Sequence, residues 1–312
     1  MKLLRSLDDL TDAWRGGAVT VGNFDGVHRG HAQIVRRLRE RARAVGGPAV
    51  VFTFDPHPVR LLRPEAAPPP LTWTDRKAAL LAESGVDAVL AYPTDEQLLS
   101  LTADEFFQRI LRGALRCRAL VEGSNFTFGR DRTGSVEVLG RLADEAGISL
   151  DVVPPVVLEG DVVSSSRVRR LIAAGQVDEA RRLLTRPYRI RGVVRHGAAR
   201  GARIGFPTAN VDGVDTLLPG PGVYAGRAVV DGAEHAAAIN VGPNPTFGEA
   251  AMKIEAHLLD FRGNLYGTLV ELDFVSRLRD VRPFASVDEL KAQLQRDLAE
   301  VRARLKEGEA VR

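Results

Sequence analysis

The chain has 312 residues, 45% of them apolar and 27% charged, and a formal net charge of +3. That length exceeds what one small core organises and predicts two domains, while the lack of any run of about eighteen apolar residues excludes a membrane-spanning helix. Only five of the 43 basic residues are lysines and the arginines are scattered, so the charge gives no footprint for a nucleic-acid duplex, and small anionic ligands are the expected partners.

The N-terminal segment turns acidic at Asp8 and Asp9, too early for a secretory signal, and a cytoplasmic address is expected by elimination. From there to about residue 184, apolar runs alternate with helical periodicity. Residues 18–21 read as a strand, 32–44 as a helix and 50–54 as a strand covered on both faces. A proline-rich loop follows, then a helix over 74–84 capped by Thr74 and ended by Gly85, and a strand over 86–91. A helix over 102–111 leads to Cys117, which reads as a packed thiol at a helix-to-strand junction. As the sole cysteine it excludes an internal disulfide and a cysteine metal cluster. A strand over 119–122, a helix over 136–146 ended by Gly147 and a strand over 148–153 complete the alternation. This pattern predicts a doubly wound parallel sheet, in which ligands lie beyond the carboxyl ends of the strands. The 22–31 turn, Asp55-Pro56-His57-Pro58 and Gly123-Ser124-Asn125 all fall there.

Helices are predicted over 164–174 and 176–184, and Thr185-Arg186-Pro187 reads as the boundary between domains 1–184 and 188–312. Beyond it, glycine-punctuated β runs at 188–194, 222–230, 236–241, 253–260 and 269–275 predict a small antiparallel barrel. An amphipathic helix over 286–305 closes the chain, with Ser286 and Glu289 in capping-box spacing.

Two stretches carry chemistry. Gly22-Asn23-Phe24-Asp25-Gly26-Val27-His28-Arg29-Gly30-His31 takes a strand through a glycine-rich turn into a helix. Such a turn aims backbone N–H groups and a positive helix end at one point, which suits a triphosphate. His28 and His31, three apart, can reach one bound group, although the same spacing also occurs in surface residues and metal ligands. There is no G-x-x-x-x-G-K-[ST] run and no G-x-G-x-x-G fingerprint. The second stretch is Gly197-Ala198-Ala199-Arg200-Gly201-Ala202-Arg203-Ile204-Gly205-Phe206-Pro207-Thr208-Ala209-Asn210. Its small residues let backbone approach a phosphate, Pro207 fixes a dihedral, and Thr208 and Asn210 offer the uncharged oxygens that Mg²⁺ prefers.

The 22–31 stretch resembles the strand–turn–helix motif of nucleotidylyltransferases. Together with Phe52-Thr53-Phe54-Asp55-Pro56-His57-Pro58, Asn125-Phe126-Thr127-Phe128-Gly129 and Val163-Ser164-Ser165-Ser166-Arg167-Val168-Arg169, it is similar to the bacterial bifunctional riboflavin kinase/FMN adenylyltransferase family, also called prokaryotic FAD synthetase. Ser166 stands where that family usually has threonine and keeps the hydroxyl. Gly205-Phe206-Pro207-Thr208-Ala209-Asn210 looks like the riboflavin kinase signature, and Ile239-Asn240-Val241-Gly242, Asn244-Pro245-Thr246-Phe247 and Glu255-Ala256-His257-Leu258-Leu259-Asp260-Phe261 agree in order and spacing. The resemblance implies phosphorylation of riboflavin to FMN, then adenylylation of FMN to FAD, with ATP and Mg²⁺ in both steps. It implies His28 and His31 as phosphate donors, with Gly22, Asn23, Phe24, Asp25 and Gly30 shaping that site. Asn125 would hold a phosphate or ribose oxygen, Ser164, Arg167 and Arg169 the β- and γ-phosphates, and Asp55 and His57 the flavin-phosphate side. In the second domain it implies Gly201, Arg203, Gly205, Pro207, Thr208 and Asn210 around ATP, with Thr208 and Asn210 on Mg²⁺. Glu255 would be the general base, and Arg279 and Phe284 would contact flavin. Ala199, Pro243, Val281 and Pro283 depart from the family pattern and bear on flap movement and flavin affinity. Two alternatives are a nucleotidylyltransferase acting on another phosphate ester and an inactive flavin- or RNA-binding protein. The kinase signature argues against the first, and retention of every catalytic residue argues against the second. An oligomer is neither required nor excluded.

Overall fold

The structure is a computed structural model that describes residues 1–197, 200–244 and 249–310. The chain divides into two units, Met1–Pro68 with Trp73–Ser164 and Pro69–Thr72 with Ser165–Arg312. In the first, β1 (Lys2–Leu4), β2 (Ala18–Val21), β3 (Ala49–Asp55), β4 (Ala88–Pro93), β5 (Ala119–Gly123) and β6 (Ser149–Val153) form one sheet in the order β1-β4-β3-β2-β5-β6. All its neighbours pair in parallel, as the alternation predicts. Successive strand residues feed opposite faces. Val50, Phe52, Leu90 and Leu120 pack with Phe106, Phe107, Ile110 and Leu139 on one side. Ala49, Val51, Val89 and Val121 pack with Val35, Leu38, Ala42 and Leu81 on the other. A hairpin of β7 (Val157–Leu158) and β8 (Asp161–Val162) follows the sheet.

Several local expectations shift. The first helix runs Arg29–Val45, earlier than the apolar periodicity suggests, because His28 caps it, and Gly46 ends it in the left-handed conformation (φ +62°). Thr74 is not the cap of the Thr74–Glu83 helix. Trp73 holds the extended N-cap conformation without a side-chain bond, so Thr74 is already helical. The helix after Thr102 is α-helical over Ala103–Phe106 and widens to π geometry over Phe107–Ala114. Cys117 is buried, and burial pushes its thiol up to about 12, in keeping with a packed, unreactive side chain.

In the second unit β9 (Tyr188–Arg195), β10 (Ala209–Asp212), β11 (Gly222–Val230), β12 (Ala233–Asn244), β13 (Glu249–Leu258) and β14 (Leu269–Arg279) close an antiparallel barrel in the order β10-β13-β12-β11-β14-β9. The five expected β runs are there; β10, the sixth, is the strand that closes the ring. Ala225, Val275 and Leu259 pack against Val301 and Leu305 of the terminal helix, Val287–Ala310. Ser286 caps that helix by accepting the Glu289 N–H at 3.1 Å. The Glu289 carboxylate accepts from Ala285 N–H at 3.1 Å, one residue earlier than a capping box requires. The helices Ser165–Ala173 and Val177–Leu183 belong to this unit. Gly220 N–H donates to Ile172 O at 2.9 Å, and Arg277 N–H donates to Asp178 Oδ2 at 2.9 Å.

Candidate active sites

In the first unit the strand order reverses at β2. This strand follows β3 through Ala18–Val21 but β5 only through Ala18 and Val19. The strands then splay, and the buried Glu122 carboxylate reaches across to accept Val21 N–H at 2.7 Å. Burial holds the Glu122 carboxyl well above its usual range, with the Val21 bond opposing. A parted pair of strands at such a switch point is where an open parallel sheet makes a crevice.

The 22–31 turn stands at this point. Phe24, Gly26 and Val27 all have positive φ (+46°, +81° and +40°). For β-branched Val27 that conformation is strained, and strain of this kind collects at functional sites. The turn delivers His28 to the N-cap of the 29–45 helix, where its Nδ1 accepts His31 N–H at 3.3 Å. A neutral His28 accepting at Nδ1 carries its proton on Nε2. The two imidazoles stack with centroids 3.6 Å apart and planes 17° apart. Gly30 leaves room for this, because a Cβ there would press on the His28 ring at 3.1 Å. His31 Nδ1 and Asn23 Oδ1 are buried without hydrogen-bond partners among the described residues, the kind of exception that marks a ligand site. Burial pushes the His31 pKa well below its ordinary value, helped by His28 and Lys77, so the ring is neutral near neutral pH.

Several of the expected residues lie at or just beyond the carboxyl ends of the strands that flank this turn. Asp25 is buried, and the Asn23 carbonyl accepts the Thr53 hydroxyl at 3.1 Å. Asp55 ends β3 with Arg5 Nη1 at 3.9 Å, and His57 Nδ1 accepts Val59 N–H at 3.1 Å. Asn125 follows β5 in a turn closed by Phe126 N–H to Gly123 O at 3.0 Å. The Val163 carbonyl lies 3.5 Å from where a Cβ on Gly30 would be, which brings Ser164 beside the histidine turn. Arg167 and Arg169 fall in the second unit, where Arg169 Nε donates to Pro69 O at 3.0 Å; their phosphate role rests on the resemblance. Glu122 and Lys77 carry no local signal that separates them from ordinary strand and helix residues, and Thr53 lies in the 52–58 motif without a role assigned to it there.

The second site is a row across the barrel. Asn210 on β10 is in register with Glu255 on β13, and Glu255 with Asn240 on β12. Directly opposed residues share a face, so the three polar groups stand side by side, each half-buried between buried neighbours. On the other flank Asn210 pairs with Arg195. The glycine-rich stretch leads into this row. A Cβ on Gly201 would fall 2.3 Å from Phe206 O and 3.4 Å from Thr208 Oγ1, and one on Gly197 would fall 2.3 Å from Asn210 Nδ2. Gly205 takes φ +91°. Pro207 O lies 2.7 Å from His257 Nδ1, which must donate to it. This cradle would be filled by any side chain at Gly201 or Gly197, and its Thr208 and Asn210 oxygens are hard donors of the kind Mg²⁺ takes beside substrate phosphates. Among the described residues no three His, Cys, Asp or Glu side chains converge as a metal centre, so the two-histidine spacing has no third ligand of that kind. Arg279 is tied to Asp297 by Nη2–Oδ2 at 2.8 Å and Nε–Oδ1 at 3.0 Å, and its guanidinium stands over the Phe284 ring at 5.7 Å. Ala198, Ala199, Pro245, Thr246 and Phe247 lie outside the described residues.

Comparison with known proteins finds a match for each half of the chain. A family model described as FAD synthetase matches residues 10–167, and one described as riboflavin kinase matches residues 184–305. The chain is 41% identical over 304 residues to a bifunctional riboflavin kinase/FMN adenylyltransferase of Pseudomonas fluorescens, covering 97% of each. It is 38% identical to that of Escherichia coli K12, covering 95% of this chain and 96% of the relative. A crystal structure named as a macrolide-efflux protein from Streptococcus pneumoniae superposes with TM-score 0.85 at 33% identity, covering 96% of this chain and 98% of that one. Among the described residues no helix is long and apolar enough to cross a membrane. With both family models matched and relatives similar over nearly its whole length, the chain belongs to the bifunctional riboflavin kinase/FMN adenylyltransferase family.

Proposed function

We propose that each site holds its own ATP and performs one of the family's two reactions, residues 188–312 phosphorylating riboflavin and residues 1–184 adenylylating the FMN that results. The two activities follow from the family; their assignment to named side chains is our reading. One observation supports it. The chain carries two different phosphate-shaped constellations, a stacked histidine pair at a helix N-terminus and an Asn–Glu–Asn row beside a glycine cradle.

In the kinase reaction the riboflavin 5′-hydroxyl attacks the γ-phosphorus and ADP leaves. Glu255 accepts the hydroxyl proton. Asn210 and Asn240 flank it and orient the reacting groups, and the backbone around Gly201 and Gly205 lets phosphate oxygens approach. Phe284, held beneath Arg279, offers a face to the flavin ring. In the adenylyltransferase reaction an FMN phosphate oxygen attacks the α-phosphorus, the α–β bridging bond breaks, and pyrophosphate leaves. His28 through Nε2–H and neutral His31 donate hydrogen bonds to phosphate oxygens as charge moves onto the leaving group. The helix N-terminus adds a fixed positive potential. Asn125 and Ser164 hold phosphate or ribose oxygens, and Asp55 and His57 border the flavin-phosphate side. Mg²⁺, held by Thr208 and Asn210 in the kinase site, would neutralise phosphate charge there. The partners on this reading are small molecules, and a cytoplasmic address fits an enzyme that consumes ATP.

Isotope transfer tests the order of events. With riboflavin and Mg²⁺, label from γ-labelled ATP should appear in FMN and FAD, while label from α-labelled ATP should appear in FAD alone. Label from α-labelled ATP in FMN, or no flavin product at all, would refute the scheme.

A further inference from the structure

Lys77 lies inside the Thr74–Glu83 helix and is only 7% exposed. A buried ammonium is unfavourable unless paired, and a leucine or methionine packed on the same sheet would stabilise the fold more. Its helix neighbours Ala78, Leu80 and Leu81 are the buried apolar residues expected there. Among the described residues the one hydrogen-bond acceptor of Lys77 is the Thr53 hydroxyl, at 3.3 Å. That hydroxyl donates its own proton to the Asn23 carbonyl at 3.1 Å. With its proton committed to Asn23, the Thr53 oxygen can only accept from the ammonium. The three groups therefore form one directed chain from a helix, through β3, to the two-histidine turn. The Asn23 carbonyl belongs to the peptide joined to Phe24, where the backbone enters the left-handed conformation that swings it toward His28. Asp25, Asp55 and His31 lie within electrostatic reach of the same ammonium, so its charge is felt at the site as well as its hydrogen bond.

We propose that Lys77 is a positioning residue for adenylyl transfer, fixing the Asn23–Phe24 peptide through Thr53 and thereby the placement of His28 and His31. The proposal rests on the reading that this turn holds the reacting phosphates. Small displacements of such groups are costly to rate, about a hundredfold for 1 Å in strongly oriented reactions.

The test uses the full-length protein with Lys77→Met, Thr53→Val and the double variant. FMN adenylylation is followed as separate kcat and KM values, and riboflavin phosphorylation by the same samples serves as an internal control. Each single variant should lower the adenylylation kcat about tenfold or more with KM for ATP and FMN little changed, and the double variant should be no worse than the poorer single. Kinase turnover should be unaffected. A Lys77→Met enzyme that adenylylates at the parental rate, or single effects that multiply in the double variant, would overturn the proposal. If Lys77→Met does not fold in the first unit, Thr53→Val decides alone, an unchanged kcat counting against the relay. Adenylylation that survives His28→Ala would instead remove the reading of the turn itself.

Discussion

Val27 and His31 show what the first site costs at the scale of single residues. Val27 is held at φ +40° and His31 is buried with an unpartnered Nδ1; neither favours folding, and on the proposed function both serve the placement of a donor. Their pH consequences have a definite sign. His31 has a folded pKa below its unfolded 6.5, so its contribution is fully present above 6.5 and is lost as pH falls from there toward the folded value, where only the unfolded chain binds the proton. Glu122 is shifted the other way. Its folded pKa lies above the unfolded 4.5, so its contribution is present below 4.5 and is lost as pH rises toward the folded value. Each pH unit within either window is worth about 1.4 kcal/mol. Glu122→Gln keeps an acceptor for Val21 N–H and removes the ionisation. Urea unfolding should find this variant more stable than the parent at pH 8, with the gain shrinking toward pH 4.5; equal stability at both pH values would contradict a neutral buried Glu122. None of this was legible in the sequence. A lone glutamate in Ala-Leu-Val-Glu-Gly reads as a strand end, and only the splay of β2 from β5 makes it a bridge.

At the scale of elements, legibility followed length and autonomy. The Arg29–Val45 helix and the strands β3 and β11 carry their own periodicity and stand where the sequence puts them. β1 has three residues and β10 four. Neither is long enough to show a pattern, and each exists because a neighbouring strand offers an edge. β10 mattered most, since Ala-Asn-Val-Asp carries no strand assignment in the sequence, yet its pairing with β13 aligns Asn210 with Glu255. Candidate residues for that site could be named from the sequence, whereas their register could not. Closure of the same barrel includes a polar clamp. Arg189 on β9 donates to both Asp273 oxygens at 2.6 Å and to Glu271 at 2.5 Å, with the Arg189 and Asp273 side chains 14% and 7% exposed. The acidic partners more than offset burial and push the arginine pKa upward. Removing one partner of such a pair leaves an uncompensated buried charge, so Arg189→Met should destabilise the second unit by about 3–5 kcal/mol. A thermal or denaturant transition within about 0.5 kcal/mol of the parent would show that the clamp contributes nothing.

At the scale of the whole molecule, two architectures built by different rules carry two reactions on one chain. A parallel sheet opens a crevice where strand order reverses, and the closed barrel aligns the residues of its proposed site across three strands. That division was visible in the change from alternating helix and strand to glycine-punctuated β runs. The place of the 165–183 helices was not visible, because their contacts are long-range and they pack with the barrel unit. The account stands on the separation of the two chemistries. The direct measurement is a paired assay of His28→Ala and Glu255→Ala, each given riboflavin or FMN with ATP and Mg²⁺. His28→Ala should form FMN at the parental rate and lose FAD formation by about a hundredfold or more, and Glu255→Ala should do the reverse. Equal loss of FMN formation from riboflavin and of FAD formation from supplied FMN, in either folded variant, would contradict two independent sites.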